Sequence, residues 1–277
     1  MKITIDGKAA DIALEKEKNL GEILGGIGDW LEGSGYSLSG LRVNGEVLGA
    51  GAIDGAFDLP LDSIETLDIQ TTSLPLLMAE ALADIRQELG NYANASFEER
   101  RSVEQRWTES PAASFLAECL PDISGMAGRT FRGEDPAPTA LVSLVDERLR
   151  ELRAPLPELQ GMEALVEGIA KRLEDLPLDI QTGKDGRAAE TVQLFSSVTE
   201  KLFRIFSLLK LEGYLADTLT IDTMSFSAFI DNFSAALKEL LAAYETQDAV
   251  LVGDLAEYEL APRLRSFYSA IKTPAAA

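Results

Sequence analysis

The spacing of apolar residues changes period once, at Ser73, and that change limits the fold more than any other feature of the chain. Before it, apolar residues alternate as they do in strands. After it, they recur every three or four positions, as they do on one face of a helix. Ile3 and Ile5 alternate with Lys2, Thr4 and Asp6, and Asp6-Gly7 follows as a turn signal. With Ile12 and Leu14 alternating beyond it, the pattern predicts a hairpin over 2–6 and 10–15. Leu20, Ile23, Leu24, Ile27, Trp30 and Leu31 then share a helical face, with Asn19 as cap and Gly33-Ser34-Gly35 as stop. Gly25, Gly26 and Gly28 lie inside that helix, each costing about 1 kcal/mol relative to alanine, so it must lean on tertiary packing.

A second hairpin is predicted at Leu41-Arg42-Val43, Asn44-Gly45 and Glu46-Val47-Leu48, because Asn-Gly suits a turn that needs positive φ twice. A glycine-containing loop follows, and Leu67 and Ile69 mark a last strand over 65–71. In strand order, length and the Leu-Arg-Val-Asn-Gly-Glu-Val run of 41–47, residues 1–72 resemble the β-grasp domains of ubiquitin-like modifiers and sulfur carriers. Those families act through a free C-terminal Gly-Gly. Here the corresponding stretch reads Gln70-Thr71-Thr72-Ser73-Leu74-Pro75 and the chain continues. The resemblance therefore implies no conjugation or thiocarboxylate chemistry. It implies a compact module that recognises a protein, or one that docks on its own helical domain.

Residues 73–277 read as a helical domain, with a possible subdivision into 73–185 and 186–272. Ser73 is a predicted N-cap, Ser96 and Glu99 form a capping-box pattern, and Ser110-Pro111 restarts the chain. Residues 121–138, with three prolines and three glycines, read as a long loop and a candidate contact surface. Helical faces follow at Leu141–Leu152, Met162–Leu176, Phe195–Leu209 and Phe226–Tyr244, and a last helix over 248–271 is expected to kink at Pro262. The fold class is α+β: a β-grasp-like domain, then an all-α domain ending in an up-down bundle.

Composition narrows the chemistry. There is no histidine, which removes the commonest general base and metal ligand. One cysteine, Cys119, excludes an internal disulfide and reads as a core residue. The formal net charge is −21, which repels nucleic acid and anionic membrane surfaces and favours a partner bearing a basic patch. No apolar run is long enough to span a bilayer and no secretory leader pattern is visible, so a cytoplasmic protein is expected. Arg100, Arg101 and Arg106 sit among glutamates at helix spacings and read as ion-paired faces.

No phosphate loop, nucleophile elbow or calcium loop survives inspection of spacing. Glu245, Asp254 and Glu257 form the one carboxylate cluster that leaves a metal-dependent or paired-carboxylate hydrolase open. Phe203, Phe206, Phe226, Phe229 and Phe233 read as core, or as an aromatic groove for a partner. The expected function is that of a non-enzymatic, cofactor-free adaptor or scaffold. The alternatives are the hydrolase and a helical chaperone or anti-factor sheltering a partner's helix.

Overall fold

The computed structural model describes residues 1–277 apart from 11, 13–16, 50–54, 135–138, 217, 247 and 274–277. The chain is α+β, an N-terminal mixed sheet followed by a mostly helical region, and it divides into compact units Met1–Arg153 and Ala154–Ala277. The expected division at 72/73 falls inside the first unit, where it marks a change from one hydrophobic core to the next.

The sheet of the first unit comprises β1 (Lys2–Ile5), β2 (Lys8–Ala9), β3 (Tyr36–Val43), β4 (Glu46–Leu48) and β5 (Thr66–Ser73), in the order β2-β1-β5-β3-β4. β5 is central, parallel to β1 and antiparallel to β3. The helix α1 (Leu20–Gly33) buries Leu20, Ile23, Ile27 and Leu31 against Ile3, Leu41, Val43, Leu67 and Ile69. The opposite sheet face is polar, with Thr4 donating to Asp68 and Arg42 opposite Asp68 in register. The second strand, Lys8–Ala9, lies ahead of the predicted 10–15: Ala10 and Ile12 are not in strand, and 11 and 13–15 lie outside the described residues.

Both hairpin turns have positive φ at both central positions, Asp6 at 50° with Gly7 at 76° and Asn44 at 54° with Gly45 at 83°. Each polar turn residue also grips one end of β5. Asp6 accepts from the Thr71 N–H at 2.9 Å and the Thr71 hydroxyl at 2.6 Å. Asn44 accepts from the N–H groups of Glu65 and Thr66 and donates to the Ser63 carbonyl.

β5 ends at Ser73, whose hydroxyl caps the next helix, α2 (Leu74–Asn94), by accepting from the Leu76 N–H. Around α2 pack α3 (Phe97–Thr108), α4 (Pro111–Cys119), α5 (Pro121–Phe131) and α6 (Thr139–Arg153). Their core includes Leu82, Ile85, Leu89, Tyr92, Trp107, Leu116, Phe131 and Leu141. Over 121–131, α5 corrects the reading of 121–138 as a loop; 135–138 lie outside the described residues. Pro121 sits at a helix start, where its missing N–H costs nothing, and Ile123, Ala127, Thr130 and Phe131 make a buried face. Gly133, at φ 73°, lies just past the helix end.

In the second unit a single core runs from Leu159 to Ile271. It is built by α7 (Pro155–Gln160), α8 (Glu163–Glu174), α9 (Leu176–Gln181), α10 (Asp185–Leu211), α11 (Phe226–Glu245), α12 (Ala249–Asp254) and α13 (Ala261–Lys272). A small hairpin, Thr220–Ile221 with Met224–Ser225, precedes α11. Between α12 and α13 the chain takes a π-helical turn, Leu255–Leu260, so the irregularity expected at Pro262 begins upstream of it. α13 is tied to α8 by Arg265, which forks onto Glu167 at 2.7 and 2.8 Å, and by Lys272, 2.8 Å from Glu163. The buried Asp179 is compensated by Lys184 and by Arg187, whose Nε lies 3.0 Å from Oδ2 without hydrogen-bond alignment. That second pairing is Coulombic.

Two predictions follow from these contacts. A Cβ on Gly253 would lie 2.9 Å from both Cβ and Cγ of Pro177, a ring that cannot rotate away. Gly253→Ala should therefore lose about 1–3 kcal/mol through overpacking, despite the helix propensity it gains, read as a lowered urea midpoint. At the sheet, hydrogen bonds from Thr71 hold the Asp6 carboxyl below its ordinary range. That contribution is complete above the unfolded-state pKa and fades as pH falls through the lower folded value. Asp6→Ala should lower the midpoint at pH 7 and flatten its decline below pH ~4, whereas Asp6→Asn, which tolerates positive φ, should lower it less.

Candidate docking groove

One edge of α1 faces an open trough. Ile23, Gly26, Ile27 and Trp30, at steps of three or four, form one wall, and Ile5, Ala10 and Ile12 form the other. The trough has a volume of about 490 Å³, and Glu17 and Glu22 stand at its margin. Within that wall Ile23 and Ile27 are buried, whereas Trp30 is 60% exposed. The indole is thus displaced from the buried seam onto the rim. A large aromatic half in water beside an apolar trough is the composition of a recognition surface.

Of the glycines of α1, Gly26 lines the trough. A Cβ on Gly21 would crowd Phe57, 3.1 Å away, so Gly21 serves a close approach within the fold. Gly25, Gly26 and Gly28 serve none, since a Cβ on any of them would meet nothing within 4 Å. A side chain at Gly26 would instead occupy the trough that this residue lines. The helix start is firmly held all the same: Asn19 accepts from the Glu22 N–H at 2.9 Å, and Glu22 accepts from the Lys18 N–H at 2.7 Å. α1 itself bears Glu22, Asp29 and Glu32 and no lysine or arginine.

The residues singled out by sequence lie elsewhere. Phe206, Phe229 and Phe233 are buried in the second unit, and Phe203 and Phe226 are partly buried against that core. The rings pack on one another and on Phe267, with Phe206 and Phe226 stacked at 4.1 Å and Phe203 tilted against Phe267 at 4.9 Å. Three of the five therefore present no surface to a partner in this conformation. Glu245 and Asp254 are exposed at the ends of α11 and α12. Glu257 takes a hydrogen bond from the Tyr258 hydroxyl, which raises that phenol above its ordinary range. Among the described residues no group of three or more His, Cys, Asp or Glu side chains is placed to hold a metal ion. Cys119 is half-buried, and desolvation, reinforced by Glu118 and Glu32, pushes its thiol upward and away from the nucleophilic thiolate.

The exposed Trp30 provides a direct check on the groove. Trp107, the other tryptophan, is only 5% exposed. Acrylamide, a neutral quencher that the acidic surface does not repel, should quench one class of indole fluorescence more readily than the other, and Trp30→Phe should abolish the more quenchable class.

Comparison with known proteins follows the same partition. Residues 1–73 match the model of the TP0873 N-terminal domain, and residues 158–270 match a domain of unknown function, DUF8042. An uncharacterized protein of Treponema pallidum (strain Nichols) is 25% identical over 271 residues, covering 98% of this chain and 96% of that protein. No solved structure matches the chain. Among the described residues no helix is long and apolar enough to cross a membrane. The sequence similarity to that protein thus extends along nearly the whole length of this chain.

Proposed function

We propose that this chain is a non-enzymatic cytoplasmic adaptor that binds another protein through the trough on α1. We further propose that its N-terminal part is a β-grasp-like recognition module. Strand order β2-β1-β5-β3-β4, with the last strand inserted parallel to the first and one helix across a single face, supports the fold reading. The apolar trough beside the exposed Trp30 carries the functional one. Gly26 lines this trough at a helix-propensity cost of about 1 kcal/mol, and no described residue packs where its Cβ would stand, which fits a surface left open for something outside the chain.

The partner is a segment with large apolar side chains flanked by lysine or arginine. The apolar groups fill the trough. The basic groups answer Glu22, Asp29 and Glu32 and the overall charge of −21. Exposed ion pairs of this kind contribute more to encounter rate and selectivity than to affinity, so the complex weakens with salt.

The test uses the full chain and its Gly26→Leu variant as baits in lysate of the source organism. Leucine at this position fills the trough and raises helix propensity, so loss of folding does not confuse the result. The wild type should recover one recurrent protein with a basic, apolar segment, and Gly26→Leu should recover about tenfold less of it, the cost of roughly 1.4 kcal/mol. Equal recovery by both baits would refute the groove as the docking site.

A further inference from the structure

A second cleft, in the helical part of the first unit, has the opposite chemistry. It lies between the end of α2, the first turns of α3 and the end of α5, with a volume of about 730 Å³. Its aromatic base is Tyr92 and Phe131, edge to face at 5.4 Å, and Trp107 backs Phe131 at 6.0 Å. Arg100, Arg101 and Arg132 line it, together with Glu98, Glu104 and the fully solvated Phe97, 90% exposed.

The arginines are not spent on carboxylates as their sequence spacing suggests. Of Arg100, Arg101 and Arg106, it is Arg106 that forms an ion pair, with Glu88 at 3.0 Å. The Arg100 guanidinium instead lies 4.9 Å over the Tyr92 ring, which orients its N–H groups without consuming them. Arg101 has no ion pair or hydrogen bond among the described residues. Arg132 is held by Glu134 at 2.7 Å, but both side chains are half in solvent, where such a pair is readily exchanged.

The Tyr92 ring is mostly buried, the residue being 8% exposed, and its hydroxyl, unbonded among the described residues, stays open to solvent at the cleft. That oxygen lies beside Gly133, 3.7 Å from where a Cβ would stand, and Gly133 itself lines the cleft. Here the hydroxyl, the oriented Arg100 and the unengaged Arg101 border one cleft floored by aromatic rings.

We propose that this cleft binds an acidic peptide segment of a partner protein, one carboxylate next to an aromatic or large aliphatic side chain. The carboxylate is taken by Arg101 and Arg100 with the Tyr92 hydroxyl, and the apolar side chain lies against Phe97 and Phe131. Arginine's planar fork suits a carboxylate, and aromatic rings suit the neighbouring side chain. Glu98 and Glu104 on the rim, and the −21 charge of the chain, select against a densely anionic ligand such as a phosphate cluster. The inference does not depend on the α1 trough. If both hold, the chain bridges partners of opposite charge.

The test is a nuclear magnetic resonance titration of the isotope-labelled full chain with three blocked pentapeptides differing at one position: Gly-Asp-Phe-Leu-Gly, Gly-Asn-Phe-Leu-Gly and Gly-Lys-Phe-Leu-Gly. The aspartate peptide should give saturable shifts at the Gly133 amide and the Arg100 and Arg101 Nε–H signals. The asparagine peptide should bind about tenfold more weakly and the lysine peptide not at all. Arg101→Gln should weaken the aspartate peptide about tenfold, and Tyr92→Phe, which keeps the ring under Arg100, about threefold. No saturable shift at millimolar aspartate peptide would overturn the proposal. So would equal responses to all three peptides, or the same shifts with inorganic phosphate alone.

Discussion

Everything in the sheet depends on β5 being held at both ends by side chains from turns distant in sequence. A central strand that arrives last must be inserted between strands already paired with others, at the entropic cost of closing a long loop. Backbone ladders alone leave its register free to slip, and a one-residue slip would turn Leu67 and Ile69 away from α1. Asp6 fixes the far end through Thr71, and Asn44 fixes the near end through Ser63, Glu65 and Thr66. The two residues that tolerate positive φ are the same two that carry these bonds. One short polar side chain thus serves turn geometry and register together.

Much of this was legible because the signals were local. Asp6-Gly7 and Asn44-Gly45 mark turns that only a few residue types can make, Ser73 and the Ser96/Glu99 pair mark helix starts, and all four occur where expected. What failed was reading proline and glycine by count instead of by position. In 121–138 the first proline is a helix start, and Gly125 and Gly128 sit off the buried face, so the Ile123, Ala127, Phe131 spacing was the better guide. The Thr220–Ser225 hairpin left no trace because its turn uses Asp222 and Thr223, at φ 49° and 69°, with no glycine to announce it.

The candidate surfaces were less legible than the fold, for a related reason. Periodicity places Trp30 on the same face as Leu31, and only the width of the helix–sheet contact decides that Leu31 is buried while Trp30 stands on the rim. The five phenylalanines of the second unit stood out by type, yet type says nothing about whether neighbouring helices cover them. Tyr92 and Arg100 are eight residues apart on different helices, and their stacking is a product of the α2–α3 turn. Sites formed by the margins of elements, where burial changes sharply over one residue, escape a reading built on faces.

Ser73 is both the last residue of β5 and the cap of α2, and Leu74 then donates to the carbonyl of Gly35 at the start of β3. There is no linker between sheet and helix, not one residue that belongs to neither. A hinge needs backbone that can change φ and ψ without breaking bonds, and none is present at this junction. A push on the central strand is therefore a push on the axis of α2, as a handle moves the shaft to which it is welded.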